Sequence, residues 1–326
     1  MAYATEKMIA LAAVREASVL CEQVKGALTP ETLEKKDRSP VTVADFGSQA
    51  LVCSRLRRAF PEDRIIAEET STTLRTEAGR STLEKVVRYV REIRPDASTD
   101  DVLSWIDFGD CKEHTERHWT LDPIDGTKGF LRGDQYVVAL ALIEKGEVVV
   151  GAVACPNLLL PGLDAGRGVV AIAAKGEGTD FYRLQDMEHA GTGAVSQAIQ
   201  PADMRFCESV ESAHTSHENA QHIAAIVGIS GDSVRMDSQA KYVAVAAGAA
   251  EIYMRLPSSR RYVENIWDHA AGMLLVEEAG GRVSDIAGRP LDFHHGYQLT
   301  ENRGVIVSNG PVHDALLAAI REVGIT

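Results

Sequence analysis

Trp119-Thr-Leu-Asp-Pro-Ile-Asp-Gly-Thr127 decides how the rest of this chain is read. The run from His118 to Leu121 predicts a strand that stops at Asp122. Asp122 and Asp125 then stand three apart at the strand's end, within reach of one site. Pro123 fixes its own φ and biases Asp122 towards an extended conformation, which would turn the Ile124 carbonyl towards the same point. Two carboxylates and a carbonyl make a hard-oxygen cluster that suits Mg²⁺ or Mn²⁺ and not zinc. Gly126 and Thr127 open a short helical turn whose free N–H groups suit a phosphate. Taken alone, the same residues also spell an Asp-Pro, Asp-Gly turn capped by its own side chains.

Outward from this point the chain alternates helix and strand. Upstream, residues 4 to 25 predict a helix with Leu11, Val14 and Cys21 at helical spacing. Glu34 to Pro40 is charged and turn-prone and is expected to be a mobile loop. A second helix is predicted from Phe46 to Phe60, with Asp45 at its start and Pro61 as its stop. Ile65-Ile66-Ala67 is a short strand that delivers Glu68 and Glu69, and a helix through Leu83 and Val90 ends at Pro95. Downstream, Tyr136 to Ile143 and Glu147 to Val153 form a hairpin around Lys145-Gly146. Val169 to Ala174 and Phe181 to Leu184 extend that sheet.

The Gly- and Ser-rich segment 191–200 is the expected boundary between an α+β lobe (1–190) and an α/β lobe (191–326). In the second lobe Thr215-x-x-Glu218 is a capping box for a helix reaching Val227. A strand from Val234 to Asp237 follows, and Ser238 is expected to cap the next helix. Glu251 to Leu256 is a strand, Trp267 to Ala279 a helix with Asp268 in its first turn, Val305 to Val307 a strand and Pro311 to Val323 a helix. No repeat is visible, and the pattern gives a layered α/β fold.

Composition excludes several classes. At 326 residues the chain holds about two domains or one two-lobed unit. Lys and Arg number 34 against 47 Asp and Glu, a net −13, so a broad surface for nucleic acid polymers is not expected. A few local cations still suffice for an anionic small molecule. Five dispersed cysteines with no Cys-x-x-Cys fit neither a disulfide framework nor a zinc knuckle. A reducing compartment follows, and a cytoplasmic chain is expected, or an organellar one if a targeting segment has been removed. Apolar runs are strand-length, far short of a membrane span. A monomer is expected.

The isolated-turn reading weakens when other acids are counted. Asp45, Glu68-Glu69 and Asp268 join Asp122 and Asp125 as four acidic stations, although acids near helix starts are favoured by the dipole anyway. Val41-Thr42-x-x-Asp45, Ala67-Glu68-Glu69, Trp119 to Thr127 and Trp267-Asp-His-Ala-Ala-Gly272 together resemble the motifs of the inositol monophosphatase-like superfamily, in order and across nearly the whole chain. Within it, Asp125-Gly-Thr-Lys-Gly-Phe-Leu-Arg-Gly-Asp-Gln-Tyr136, Asp237-Ser-Gln-Ala-Lys-Tyr242 and Arg255-Leu-Pro257 are similar to the eukaryotic-type 3′(2′),5′-bisphosphate nucleotidases.

The resemblance implies an αβαβα sandwich of the sugar-phosphatase type and a lithium-sensitive phosphatase using two or three Mg²⁺, with Mn²⁺ as a substitute. It implies that Glu68, Asp122 and the Ile124 carbonyl hold one metal, and that Asp122, Asp125 and Asp268 hold a second. Asp45 and Thr127 orient and deprotonate the attacking water. Gly126, His214, Ser238, Lys241 and Arg255 contact the nucleotide, with Ser238 and Lys241 at the 5′-phosphate. The implied reaction removes the 3′-phosphate of adenosine 3′,5′-bisphosphate, and of 3′-phosphoadenylyl sulfate. The alternatives are inositol monophosphatase or inositol polyphosphate 1-phosphatase activity, or a silent nucleotide sensor.

Other patterns are weaker. His214-x-x-His217 with His222 lacks a completing ligand for zinc. Gly166-x-Gly168-x-x-Ala171 precedes a strand rather than a helix, so it fails as a dinucleotide fingerprint. The loop 110–117 carries Lys112, Glu113 and His114 where the resembling enzymes tend to be Gly-rich.

Overall fold

The computed structural model describes residues 2–27, 39–112, 115–210, 217–257, 259 and 262–325. His214, Glu113, His114, Thr215 and the charged stretch 34–38 lie outside them. The helices are α1 (Ala4–Gly26), α2 (Ser39–Ala59), α3 (Arg80–Ile93), α4 (Thr99–Asp107), α5 (Thr127–Arg132), α6 (His217–Val227), α7 (Ala240–Ala246), α8 (Ala270–Glu278) and α9 (His313–Val323). A seven-stranded sheet runs in chain order: β1 (Arg64–Ala67), β2 (Arg117–Asp125), β3 (Val137–Glu144), β4 (Glu147–Leu159), β5 (Arg167–Ala174), β6 (Thr179–Arg183) and β7 (His189–Thr192). Within this sheet, among the described residues, only the β1–β2 pair is parallel. A five-stranded sheet collects β8 (Phe206–Glu208), β9 (Val234–Arg235), β10 (Ile252–Arg255), β11 (Arg282–Ser284) and β12 (Val305–Ser308) in the order β11-β12-β10-β8-β9.

Strand periodicity sorts the side chains into three cores. On β3, Val138, Leu140 and Leu142 face α1 and α2, while Val137, Ala139, Ala141 and Ile143 face α7 and α8. This is why β3 reads as an unbroken apolar run: both of its faces are covered. On the second sheet Tyr253, Val305 and Val307 face α7 and α8, whereas Ile252, Met254 and Ile306 pack on α6 and α9. The layers are therefore helix, sheet, helix, sheet, helix. Each fully buried aliphatic side chain contributes about 1.5–3 kcal/mol. The middle core joins residues from both sides of segment 191–200. No helix among the described residues is long and apolar enough to cross a membrane. The five cysteines form no disulfide.

Several elements differ from the sequence reading. α2 begins at Ser39, so Asp45 sits in its second turn rather than at its start. Pro40 is tolerated there because a first-turn N–H needs no helical partner. Strands β7, β8 and β11 and helix α4 were not anticipated. The start of α4 is a capping box in which Ser98 accepts from the Asp101 N–H and Asp101 accepts from the Ser98 N–H. The helix expected from Trp267 is split: Ile266–Asp268 forms a 3-10 turn, and α8 follows.

Candidate active site

In a regular strand, residues three apart face opposite sides of the sheet. Asp122 and Asp125 escape this because β2 carries a bulge. Asp122 pairs with Ala139 and Asp125 with Val137, so one extra residue lies on β2. The bulge is held by one local and one long-range hydrogen bond. The Ile124 N–H donates to Asp122 Oδ1 at 3.1 Å, and Ser48 Oγ donates to the Pro123 carbonyl at 2.9 Å. Ile124 itself is buried. Gly126 follows with φ +91°, a conformation that costs a side-chain-bearing residue, and turns the chain into α5 at Thr127.

Helix α2 brings a polar face to the same place. Asp45, Ser48 and Gln49 share it at spacings of three and four. The Gln49 amide clamps the segment after β1, donating to the Glu69 carbonyl at 2.6 Å and accepting from the Glu69 N–H at 3.0 Å. That fixes Glu68 and Glu69 beside Asp45. Asp45 Oδ1 is buried and makes no hydrogen bond.

The carboxylates crowd one another. Burial first, then the charges of Asp268, Glu69 and Asp125, push Glu68 up to about 8. Burial and the charges of Glu68, Asp125, Asp268 and Asp45 hold Asp122 well above the usual carboxylate range. Asp45 is raised in the same way by burial, Glu69 and Glu68. Asp268 is raised to about 6, mainly by burial, with Arg255 and His269 opposing. Hard oxygen donors left repelling one another fit divalent cations, which would replace the protons these groups otherwise retain.

Residues from the C-terminal half of the chain meet two of these acids around one cavity. A cavity of about 240 Å³ is lined by Asp125, Thr127, Ser238, Lys241, Arg255 and Asp268, with Gly126 among its further residues. Lys241 is not a solvated helix residue. It is 3% exposed, donates to the Met236 carbonyl at 3.3 Å, and lies 5.0 Å from the Tyr253 ring centroid. Burial lowers its pKa to about 8. Ser238 does not cap α7 as expected. Its φ is +67°, the cap position falls on Gln239, and Ser238 Oγ accepts only a 3.3 Å contact from the Ala240 N–H. Arg255, at the end of β10, pairs with Glu264 at 2.9 Å and Asp268 at 3.4 Å, and donates to the Tyr262 hydroxyl at 3.0 Å.

Glu264, Asp268 and His269 each place a ligand atom within 4.8 Å of the others. They already have partners: Arg255 sits against both acids, and His269 is held between the Tyr242 hydroxyl (2.7 Å) and Glu264 (3.2 Å). Glu264, Gln49 and Gln239 are residues of the site region that sequence reasoning missed. Only Gln49 had a local signal, four residues after Asp45 on one helix face. Gly272 lets α8 come close, since a Cβ there would lie 2.5 Å from the Tyr242 ring.

A layered fold with acids and buried cations lining one cavity defines a class, and the comparisons agree. The chain belongs to the inositol monophosphatase family, whose sequence model matches residues 3–325. It is 41% identical over 351 residues to the 3′(2′),5′-bisphosphate nucleotidase of Emericella nidulans, covering 99% of both chains. It is 42% identical over 342 residues to the enzyme of that name in Schizosaccharomyces pombe, covering 99% of this chain and 97% of that one. Among solved structures, inositol monophosphatase from Anabaena aligns with a TM-score of 0.63 at 20% identity, over 100% of this chain and 98% of that one. CysQ from Bacteroides thetaiotaomicron aligns with a TM-score of 0.62 at 21% identity, over 93% and 97%. These likenesses establish the fold.

Proposed function

We propose that the chain is a Mg²⁺-dependent phosphomonoesterase that removes the 3′-phosphate of adenosine 3′,5′-bisphosphate, giving AMP and inorganic phosphate. 3′-Phosphoadenylyl sulfate is the second substrate. The observation that carries the reading is the shared cavity: the acids Asp125 and Asp268 and the cations Lys241 and Arg255, with Ser238, line the same space. The acids suit cations that hold the scissile phosphate, and Lys241 with Arg255 suits a second, remote anion. The names of the relatives at about 40% identity support the same substrate class.

The residues divide by role. Glu68, Asp122 and the Ile124 carbonyl would hold one Mg²⁺, and Asp122, Asp125 and Asp268 a second, with Mn²⁺ accepted at the same oxygens. Bound there, the ions supply neutralisation of phosphoryl charge and a lowered water pKa. Thr127 and Asp45 orient a water and take its proton. The water oxygen adds to phosphorus while the bond to the ribose 3′-oxygen breaks, and that oxygen takes up a proton from solvent water to leave as the 3′-hydroxyl of AMP. Gly126 and Thr127 N–H groups steady the phosphate, and Ser238, Lys241 and Arg255 hold the remote end.

The metal assignment has a pH signature. Unfolded carboxylates titrate near about 4, whereas Glu68 is raised to about 8 and Asp268 to about 6 in the fold. Raised groups contribute stability that is present below the unfolded pKa and lost as pH rises through the folded one. Without cations, this cluster therefore weakens the fold progressively from about pH 4 to about pH 8. Mg²⁺ should relieve that loss, so the Tm difference between Mg²⁺ and EDTA should be small near pH 5 and grow towards pH 8. Thermal unfolding across that range checks it; a difference of constant size would count against binding at these acids.

Lys241→Ala tests the substrate. Loss of a charge-assisted contact costs roughly 1.5–3 kcal/mol, or about 10- to 150-fold in kcat/KM. The bisphosphate should lose that factor, and 3′-AMP, which lacks the remote phosphate, should be nearly unaffected. Equal losses on both substrates would make Lys241 structural. A wild-type preference for inositol monophosphate over the bisphosphate would overturn the reading.

A further inference from the structure

Ser238 and Lys241 line the cavity, and Gln239 between them ties that stretch to the acids. Its backbone N–H donates to Asp125 Oδ2 at 2.6 Å. Its side-chain Nε2 donates to the Trp267 carbonyl at 2.9 Å, and its Oε1 accepts from the Gly272 N–H at 3.0 Å. Trp267 immediately precedes Asp268, and Gly272 lies in the first turn of α8, so the amide spans the turn that presents Asp268. Gln239 is 2% exposed. The left-handed Ser238 is the backbone reversal that aims the Gln239 N–H at Asp125 while Ser238 itself faces the cavity. A buried amide with both of its ends engaged has little freedom to move independently of its partners.

We propose that Gln239 is a positioning residue that couples the remote-anion pocket to the second metal site. Whatever fixes Ser238 to Lys241 also fixes Asp125 and Asp268, because one residue is bonded to the elements carrying both. Coupling of this kind is reciprocal: a ligand bearing only the remote phosphate tightens divalent-cation binding, and the cation tightens the ligand equally. The proposal rests on the functional reading above.

The test is calorimetric titration of the full chain with Mn²⁺, with and without saturating AMP, which carries the remote phosphate and has no scissile one. In the wild type AMP should lower the Mn²⁺ Kd about 10-fold, within the usual range of coupling between sites. Gln239→Met keeps the volume and removes both side-chain bonds. It should still bind Mn²⁺ and AMP separately, with the shift reduced to about 2-fold or less. Gln239→Asn, whose shorter amide cannot span Trp267 and Gly272, should behave alike and serves if the methionine variant does not fold. An equal shift in wild type and variants would show that the Gln239 side chain carries none of the coupling and would overturn the proposal. AMP binding to the wild type with no Mn²⁺ shift would also overturn it while leaving the functional reading intact. No AMP binding at all would overturn both.

Discussion

Asp122→Asn is expected to reduce turnover of adenosine 3′,5′-bisphosphate by at least about 10³-fold, because metal stabilisation of phosphoryl charge is worth several kcal/mol and each 1.36 kcal/mol is tenfold. The fold should survive. Asp122 Oδ1 accepts the Ile124 N–H inside the bulge, and an amide oxygen can accept it equally. Asn also removes a buried carboxyl that burial and the charges of Glu68, Asp125, Asp268 and Asp45 hold well above the usual carboxylate range, so that its ionisation at neutral pH costs stability. The cation-free variant should therefore unfold at the same temperature as the wild type or higher at neutral pH. What it should lose is the stabilisation by Mg²⁺. Two measurements separate these effects: steady-state turnover, and Tm with Mg²⁺ or EDTA. Activity within a few-fold of wild type would end the assignment of Asp122 as a ligand shared by two ions. A collapsed Tm in EDTA would instead show that its role is to hold the strand.

The contrast between Asp122 and its neighbours shows what could be read from the chain. The strand, its terminal acids and the glycine turn were legible because they are local: a β-prone run, a proline and a glycine with positive φ all lie within nine residues. The bulge was not. Spacing alone puts Asp122 and Asp125 on opposite faces, and only the register against β3 supplies the extra residue. Asp45 was read as a candidate functional acid, but the start of its helix was set too late, since a charged stretch followed by proline reads as loop. With the helix begun at Ser39, Asp45, Ser48 and Gln49 fall on one face, and their burial marks that face as belonging to a site.

Long-range polar partners left the weakest trace. Glu264 meets Arg255, and Gln239 meets Trp267 and Gly272, across sequence distances that no periodicity encodes. Ser238 illustrates the opposite error. Its residue type suits a helix cap, but tertiary contacts shift the cap by one residue and leave Ser238 in a left-handed conformation. Lys241 likewise follows helical spacing that is equally consistent with a solvated face. Its burial against Tyr253 comes from β10, which the helix pattern does not contain. The layered architecture was recovered despite this, because apolar runs such as β3 record two covered faces at once.

Thr127→Ala should lower kcat by about 10²–10⁴, the usual value of a positioned proton transfer, while KM changes little. Two structural facts motivate it. Thr127 opens α5 directly after the bulge and lines the cavity beside Asp125. Asp45 lies on α2, which contacts α5, and its Oδ1 is buried without a hydrogen-bond partner. A buried carboxylate oxygen with an unmet acceptor position is costly unless something donates to it. In the proposed reaction that donor is the Thr127 hydroxyl or the water it orients. Asp45→Asn should therefore fall in the same range, since the amide can hold position but cannot take the proton. If the two residues act as one relay, the second substitution has almost nothing left to remove. The double variant should be about as slow as the worse single one. Losses in kcat that multiply would show two independent contributions and break the relay. A rise in KM at unchanged kcat for Thr127→Ala would move that residue from proton transfer to substrate holding.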